Sequence, residues 1–533
     1  MEDYSGKVGA SCFLLILILI VGGYIPAMSI GGVDLRRIDI LSQVRSSQEA
    51  DMIDFDTNIN DFSIPKGEPL KFNEEEFEID LHEVSAAAAQ ARELVALLHE
   101  ETPPQQAEYS KEERESESKN VIDTTRLLSD IKLTPIENYD STADDNPLHR
   151  LYAKLNTPAS TIRIALLGDS FVEGDILSCD LREILQSRYG GQGAGFAPID
   201  SPLTRYRRTV KTTSQGWTTF NIMQKRTTPE SLSPHYFVSG WVSQPTAGAT
   251  TRWEGSESRR HLMSWSGAHL LFLSRGGATI ETTVNDTEHK THIVKGQEAV
   301  QQIEIKGENI SSLSMKIVSG AEDFIGYGAI FDSGSSGGIT VDNYSVRSNN
   351  GQAMLWTNPA ANVQVDHIVG GYDLVILQYG LNIMQKGVNN YTRYSAQVEK
   401  MIAFARECFP TAAILVMGVS DRSMKENGTY KAMKEAINLT HYQRQAAQNT
   451  HAAFWSTYDA MQAQGGMSNF VTQGWAAKDF THINLAGGRQ VAMALADALI
   501  FDNYTSCPPI IRKNYDRVIP LESKVESLKL SIE

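Results

Sequence analysis

The sequence predicts an α/β protein, a parallel sheet covered by helices, with an inserted all-β sandwich and an N-terminal membrane helix. Three observations predict it. Apolar, β-rich runs alternate with segments of helical spacing in two blocks, 146–216 and 341–503. Between them, 217–340 carries short alternating runs separated by Gly, Asn and Asp, the pattern of a β-sandwich. In front, Val8 to Ile30 holds no charge and contains the apolar run Phe13 to Val21, long enough to cross a bilayer as a helix.

For residues 1–32 the competing reading is a cleaved signal peptide, for which Ala27, Met28 and Ser29 offer a small-x-small site. An anchor is preferred because the apolar stretch is long and the flank in front holds only Lys7 against Glu2 and Asp3. Cys12 precedes the run, so it is not placed like a lipoprotein cysteine. Lys7 competes with Arg36 and Arg37 under the positive-inside rule, which leaves the orientation open.

Residues 33–145 read as an acidic, largely disordered tether. From Glu49 to Asn120 there are 20 acidic and 6 basic residues, which accounts for −14 of the chain's net −16. The rest of the chain is nearly neutral, and a nucleic-acid partner is excluded for want of basic surface. One helix-like island, His82 to Glu101, is stopped by Thr102, Pro103 and Pro104.

Order resumes at Pro147, Leu148, Leu151, Tyr152 and Leu155, spaced for a short amphipathic helix. Thr161 to Leu167 is an apolar strand that runs into Gly168, Asp169 and Ser170, and Ile176, Leu177, Leu181, Ile184 and Leu185 then share a helix face. In the insert, His269–Ser274, Ala278–Val284, Ala299–Ile305, Leu313–Val318 and Phe324–Phe331 read as strands. The second block follows with a strand Tyr372–Gln378, a helix through Tyr391, Tyr394, Val398 and Met401, and a strand Ala413–Val419. A helix Lys431–Asn449, a strand Ala452–Ser456, a final helix from Asn484 and a tail at 504–533 complete the chain.

Chemistry is concentrated at three places. Ser170 sits where a strand hands over to a helix, which exposes its hydroxyl at the carboxyl edge of a parallel sheet and lends it helix N-terminal N–H groups. Asp479 and His482 precede the last helix; a serine needs a base to take its proton, and a carboxylate three residues earlier can orient the imidazole. Asn382 ends the strand Tyr372–Gln378, where its amide can donate to an oxyanion. Ser170 and Asn382 have bland alternatives, a capping turn and a strand-ending turn; Asp286 and His289 repeat the Asp–His spacing, but in a polar turn of the β insert read as solvent-exposed.

Taken together in chain order, these motifs resemble the SGNH, or GDSL-type, hydrolases, whose sheet is flavodoxin-like, over 146–215 and 341–503. The resemblance implies Ser170 as nucleophile, Asp479 and His482 as orienting acid and base, and Asn382 as an oxyanion donor beside the Ser170 N–H. Ile383 departs from the family's Gly-x-Asn-Asp. The stretch Gly168 to Asp175, with Leu181, Arg182 and Gly190 to Phe196, resembles the peptidoglycan O-acetylesterase branch, in which a carbohydrate-binding-module-like β domain separates the serine from the oxyanion glycine. That implies Gly351 as the glycine, with Gly193 the alternative. Gly334, Ser335, Ser336, Gly337, Gly338 matches G-x-S-x-G, but strand-like residues follow instead of a helix, so Ser336 is set aside.

The expected function is an envelope-anchored serine esterase that removes acyl, notably O-acetyl, groups from a cell-wall or extracellular polysaccharide, with its catalytic domain in the periplasm or outside the cell. The alternatives are an O-acetyltransferase using the same residues and a non-catalytic glycan-binding protein. The expected partners are an acylated polysaccharide or peptidoglycan and the membrane, with the oligomeric state left open. No cofactor is implied, and no metal, since His289 and His292 lack further ligands. Among Cys12, Cys179, Cys408 and Cys507 there is no CxxC pair, and buried free thiols are expected.

Overall fold

The structure is a computed structural model that describes residues 28–30, 33–35, 70, 73–101, 106–107, 132–140, 146–157, 159–202, 204, 207–426 and 428–506. Residues 1–63 and 64–533 form two units. In the first, Met28–Ile30 pairs antiparallel with Val33–Leu35, so the end of the expected membrane segment is strand. Residues 8–27 of that segment lie outside the described residues, among which no helix is long and apolar enough to cross a membrane.

The second unit is built on a sheet of five parallel strands: β1 (Thr161–Gly168), β2 (Gly338–Ser345), β3 (Leu374–Gln378), β4 (Ala413–Met417) and β5 (Ala453–Trp455), in the order β2-β1-β3-β4-β5. That is the flavodoxin-like order expected, with its switch point beside β1. Seven of the eight residues of β1 are buried, and β2 to β5 are buried throughout, as parallel strands covered on both faces must be. Each Ile or Leu side chain hidden there contributes roughly 1.5–3 kcal/mol. Register fixes the site's floor: Gly168 pairs with Ser345 on one side and Gln378 on the other.

The insert begins earlier and ends sooner than expected. Its first strand, Gly195–Pro198, already pairs with Phe324–Asp332, whereas Gly338–Ser345 belongs to the central sheet. Strands Lys211–Asn221 and Trp241–Glu254 were hidden by their Thr, Ser and Gln content. The second passes from one half of the sheet to the other: residues 250–254 pair with 312–316, while Ser243 meets Gly326. Trp253, Ile280 and Leu313 of one half and Leu270, Phe272 and Phe331 of the other fill a common core. The strand Phe324–Asp332 is buried on both faces, because Ile325, Tyr327 and Ile330 pack on the α/β core. At that seam Arg163 of β1 pairs with Asp332, and His269 Nε2 lies 3.0 Å from the same carboxylate.

The acidic segment corrects the expectation of a disordered tether wherever it is described. Val84, Ala88, Ala91 and Val95 form the buried stripe of the helix Leu81–Glu101, which packs on the helices Pro359–Ile368 and Thr392–Cys408. Ahead of it, Leu70 and Phe77 are buried. Beyond it, Gln106–Ala107 adds to the insert, and Glu137–Asn138 adds antiparallel to β5, tied by Arg444 to Glu137 at 2.9 Å. A few apolar residues at helical spacing are enough to dock a strongly charged chain.

Candidate active site

Ser170 lies in the turn after β1 and is nine-tenths buried. Gly168 leads into it because a Cβ there would run into Val172 and stand 3.0 Å from the Gln378 carbonyl. The helix expected directly after Ser170 starts only at Ser178; a 3-10 turn, Glu173–Asp175, intervenes, with Gly174 and Asp175 at φ 64° and 63°. The physical reason is the Asp175 carboxylate, which accepts from Ser178 Oγ at 2.6 Å and Arg207 Nε at 2.7 Å. Burial alone would raise its pKa, but Arg207 and Arg182 hold it well below the usual carboxylate range. Ser170 therefore precedes a turn and not a helix terminus. Its own N–H has no acceptor among the described residues.

Asp169, fully buried, accepts from the Phe171 N–H at 2.9 Å and from Asn382 Nδ2 at 3.0 Å. Burial pushes its pKa up to about 7 against these bonds and against the nearby charge of His482. Asn382, just past β3, gives its other amide hydrogen to the Asn349 carbonyl at 2.8 Å. Asn349 Oδ1 in turn accepts from the Gly351 N–H at 2.6 Å. The predicted Asn382 and Gly351 thus meet through Asn349, to which no sequence motif gives a role although it opens the Asn-Asn-Gly run. Gly351 has φ 106°, and a Cβ there would strike Met401 Sδ, so glycine is required.

Gly193 is corrected as an oxyanion candidate. Its N–H is given to the His261 carbonyl at 2.8 Å, and its α-carbon lies against Phe331 and Asp332. Asp332 is the partner of Arg163, near the amino end of β1, so Gly193 stands at the edge opposite Ser170. Ile383 is a core residue, 3% exposed, which accounts for an apolar side chain where the resemblance has aspartate. Ser336 is followed by strand β2, so no nucleophile elbow forms there.

Asp479 and His482 are paired, Oδ2 to Nδ1, at 2.6 Å. Asp479 Oδ1 also accepts from the Thr481 and His482 N–H groups at 3.0 Å each. Partial burial raises the Asp479 pKa, but the bonds from His482 and Thr481 outweigh it, and the carboxyl sits below its ordinary value. Both side chains are about half exposed. The loop that carries them leads into the helix Leu485–Ser506, whose Gly488 packs directly on the Ile176 carbonyl, six residues after Ser170. His482 makes its hydrogen bond to Asp479 and none to Ser170 Oγ.

A recess of about 40 Å³ opens beside the end of β1, between the α/β part (Asp175, Asn343, Ser345) and the insert (Phe196, Trp241). No group of three or more His, Cys, Asp or Glu suited to a metal is found among the described residues. Cys179 and Cys408 are buried free thiols, pushed by burial up to about 12.

No family model matches this chain, and no curated protein matches it. Among solved structures, one described as a peptidoglycan O-acetylesterase in action is 21% identical, covers 69% of this chain and 99% of its own, and superposes with a TM-score of 0.57. That likeness shows a shared fold. A family two carbohydrate esterase from Cellvibrio japonicus (9% identical, 55% and 98% covered, TM-score 0.23) matches far more loosely. So does a GDSL-like lipase from Parabacteroides merdae (13%, 30% and 74%, TM-score 0.24).

Proposed function

We propose that the chain is a serine esterase that removes O-acetyl groups from a polysaccharide, peptidoglycan being the substrate class favoured. The observation that carries this is the pairing of Asp479 with His482 in a loop that leads to the edge holding Ser170, Asp169 and Asn382. The fold shared with a peptidoglycan O-acetylesterase supports the substrate class.

In this reading Ser170 Oγ attacks the ester carbonyl while His482 takes the hydroxyl proton and Asp479 stabilises the imidazolium. The carbonyl oxygen becomes an oxyanion held by the Ser170 and Gly351 N–H groups and Asn382 Nδ2. For the last two, the oxyanion replaces an internal acceptor that each now uses, Asn349 for Gly351 and Asn349 or Asp169 for Asn382. The bond to the sugar oxygen breaks, and that oxygen leaves with the proton from His482. Water, deprotonated by His482, then attacks the acetyl-serine and releases acetate. The insert supplies one wall of the recess where a substituent of the sugar enters. The uncharged apolar run at 8–27 anchors the enzyme outside the cytoplasm, facing the cell wall.

The test is a serine-directed fluorophosphonate probe together with acetate release from O-acetylated peptidoglycan, on wild type and Ser170→Ala. Labelling and release lost together in the variant support the assignment; release retained by Ser170→Ala sinks it.

A further inference from the structure

The α/β pattern has no need of the hairpin Ser423–Glu426/Thr429–Ala432, which leaves the chain just after β4, at the sheet edge that carries Ser170. Tyr430 on this hairpin is the only exposed Phe, Tyr or Trp among the described residues, at 42%. Its ring lies flat on Phe480, with centroids 3.5 Å apart and planes 7° from parallel. Phe480 stands between Asp479 and His482, in the loop that carries the proposed base.

Phe480 is itself held in an uncommon way. It has φ 56°, a left-handed backbone that a bulky side chain seldom adopts. Its N–H donates to the Ala477 carbonyl at 3.1 Å, and its carbonyl accepts from the Ser423 N–H at 3.0 Å, at the base of the hairpin. A glycine would form this turn without strain. An aromatic ring there gives Tyr430 something to lie on, and the pair is tied at its base to the hairpin, so Tyr430 is presented as a rigid plate and not as a mobile side chain.

We propose that Tyr430, backed by Phe480, is a sugar-stacking platform that holds one pyranose ring of the glycan next to His482. The apolar C–H face of a pyranose matches the exposed face of an aromatic ring, while its hydroxyls stay in water at the rim. A flat, rigid aromatic gives this contact at little entropic cost. The platform deepens the esterase reading and rests on it: it grips a glycan chain, and a small ester has no ring to lay on it.

The experiment compares wild type, Tyr430→Ala and Tyr430→Trp on two substrates, solubilised O-acetylated peptidoglycan strands and vinyl acetate, an ester without a ring. Tyr430→Ala is expected to lower the ratio of glycan to vinyl-acetate kcat/KM about tenfold, through KM, and Tyr430→Trp to restore it. Equal losses on both substrates would mean that Tyr430 only props the His482 loop, and an unchanged ratio would mean that no sugar rests there; either overturns the platform. Binding of de-O-acetylated strands to Ser170→Ala, with and without Tyr430→Ala, is measured by calorimetry. Weaker binding in the double variant supports the platform even if the esterase reading has failed, and equal binding counts against the platform alone.

Discussion

The Tyr394 hydroxyl donates to the Asn350 carbonyl at 2.9 Å, and that carbonyl belongs to the same planar peptide as the Gly351 N–H. Fixing one end of a peptide fixes the other: the N–H points away from Tyr394 because the oxygen points toward it. The proposed oxyanion donor is thus aimed by a fully buried side chain on the helix Thr392–Cys408. Tyr394→Phe keeps the ring and removes the bond, so the expected result is a fall in kcat of about tenfold with KM nearly constant and little change in melting temperature. A rise in KM alone, or no change in either constant, would show that the peptide needs no such anchor.

Behind Tyr394 stands Phe77, edge-on at 6.5 Å, from the acidic segment. Lys400 Nζ reaches the Phe77 carbonyl at 3.4 Å, and the Leu70 N–H donates to the Asn390 carbonyl at 2.8 Å. Phe77→Ala opens a cavity there and is expected to cost about 3–5 kcal/mol of stability, read by urea unfolding. Proteolysis should then reach residues 73–101 in the variant under conditions in which the wild type resists, because the strap is held by few apolar contacts.

The placement of the candidate residues was legible in the sequence, for a chemical reason. Ser170, Asn382 and Asp479 with His482 are polar residues at the ends of apolar periodic runs, and in a parallel sheet those ends share an edge. The strap's helix was legible but its docking was not, because Val84, Ala88, Ala91 and Val95 are small and sit among the 20 acidic residues of 49–120, so charge masked the stripe. The hairpin bearing Tyr430 was absorbed into a helix expected from Lys431, although the helix begins at Lys434 and Asn427-Gly428 is a strong hairpin signal. Helical propensity around Lys431 to Ala436 outweighed a two-residue turn cue.

Asp366 offers a pH test away from the site. Burial raises its pKa to about 7, opposed by the Tyr372 N–H that its Oδ1 accepts at 2.8 Å. The folded state thus holds a proton that the unfolded chain has already released near pH 4, so this group favours folding at low pH and loses that contribution as pH rises through 7. Asp366→Asn keeps the acceptor and mimics the protonated form. Relative to wild type, its stability, followed by melting temperature, is expected to gain between about pH 4 and pH 7, at up to about 1.4 kcal/mol per pH unit, and the difference to stay constant above pH 7. A pH-independent difference would show that Asp366 is ionised throughout.

The seam between insert and α/β part rests on a charge that neither side can leave alone. Arg163 of β1 is buried, and its Nε and Nη1 have no partner, so its neutralisation depends on Asp332 from the insert. Burial would raise the Asp332 pKa, but Arg163 and His269 drive it far below the usual range. Asp332→Ala leaves a guanidinium unpaired in the interior, at an expected cost of about 3–5 kcal/mol. Because Ile325, Tyr327 and Ile330 of the adjoining strand already belong to the α/β core, the wild-type insert and α/β part should unfold in one transition. Asp332→Ala should move that single transition to lower urea without splitting it. Two resolved transitions in the wild type, by tryptophan fluorescence and far-UV dichroism, would show instead that the insert is an independent domain and that the Arg163–Asp332 pair does not bind the two parts into one cooperative unit.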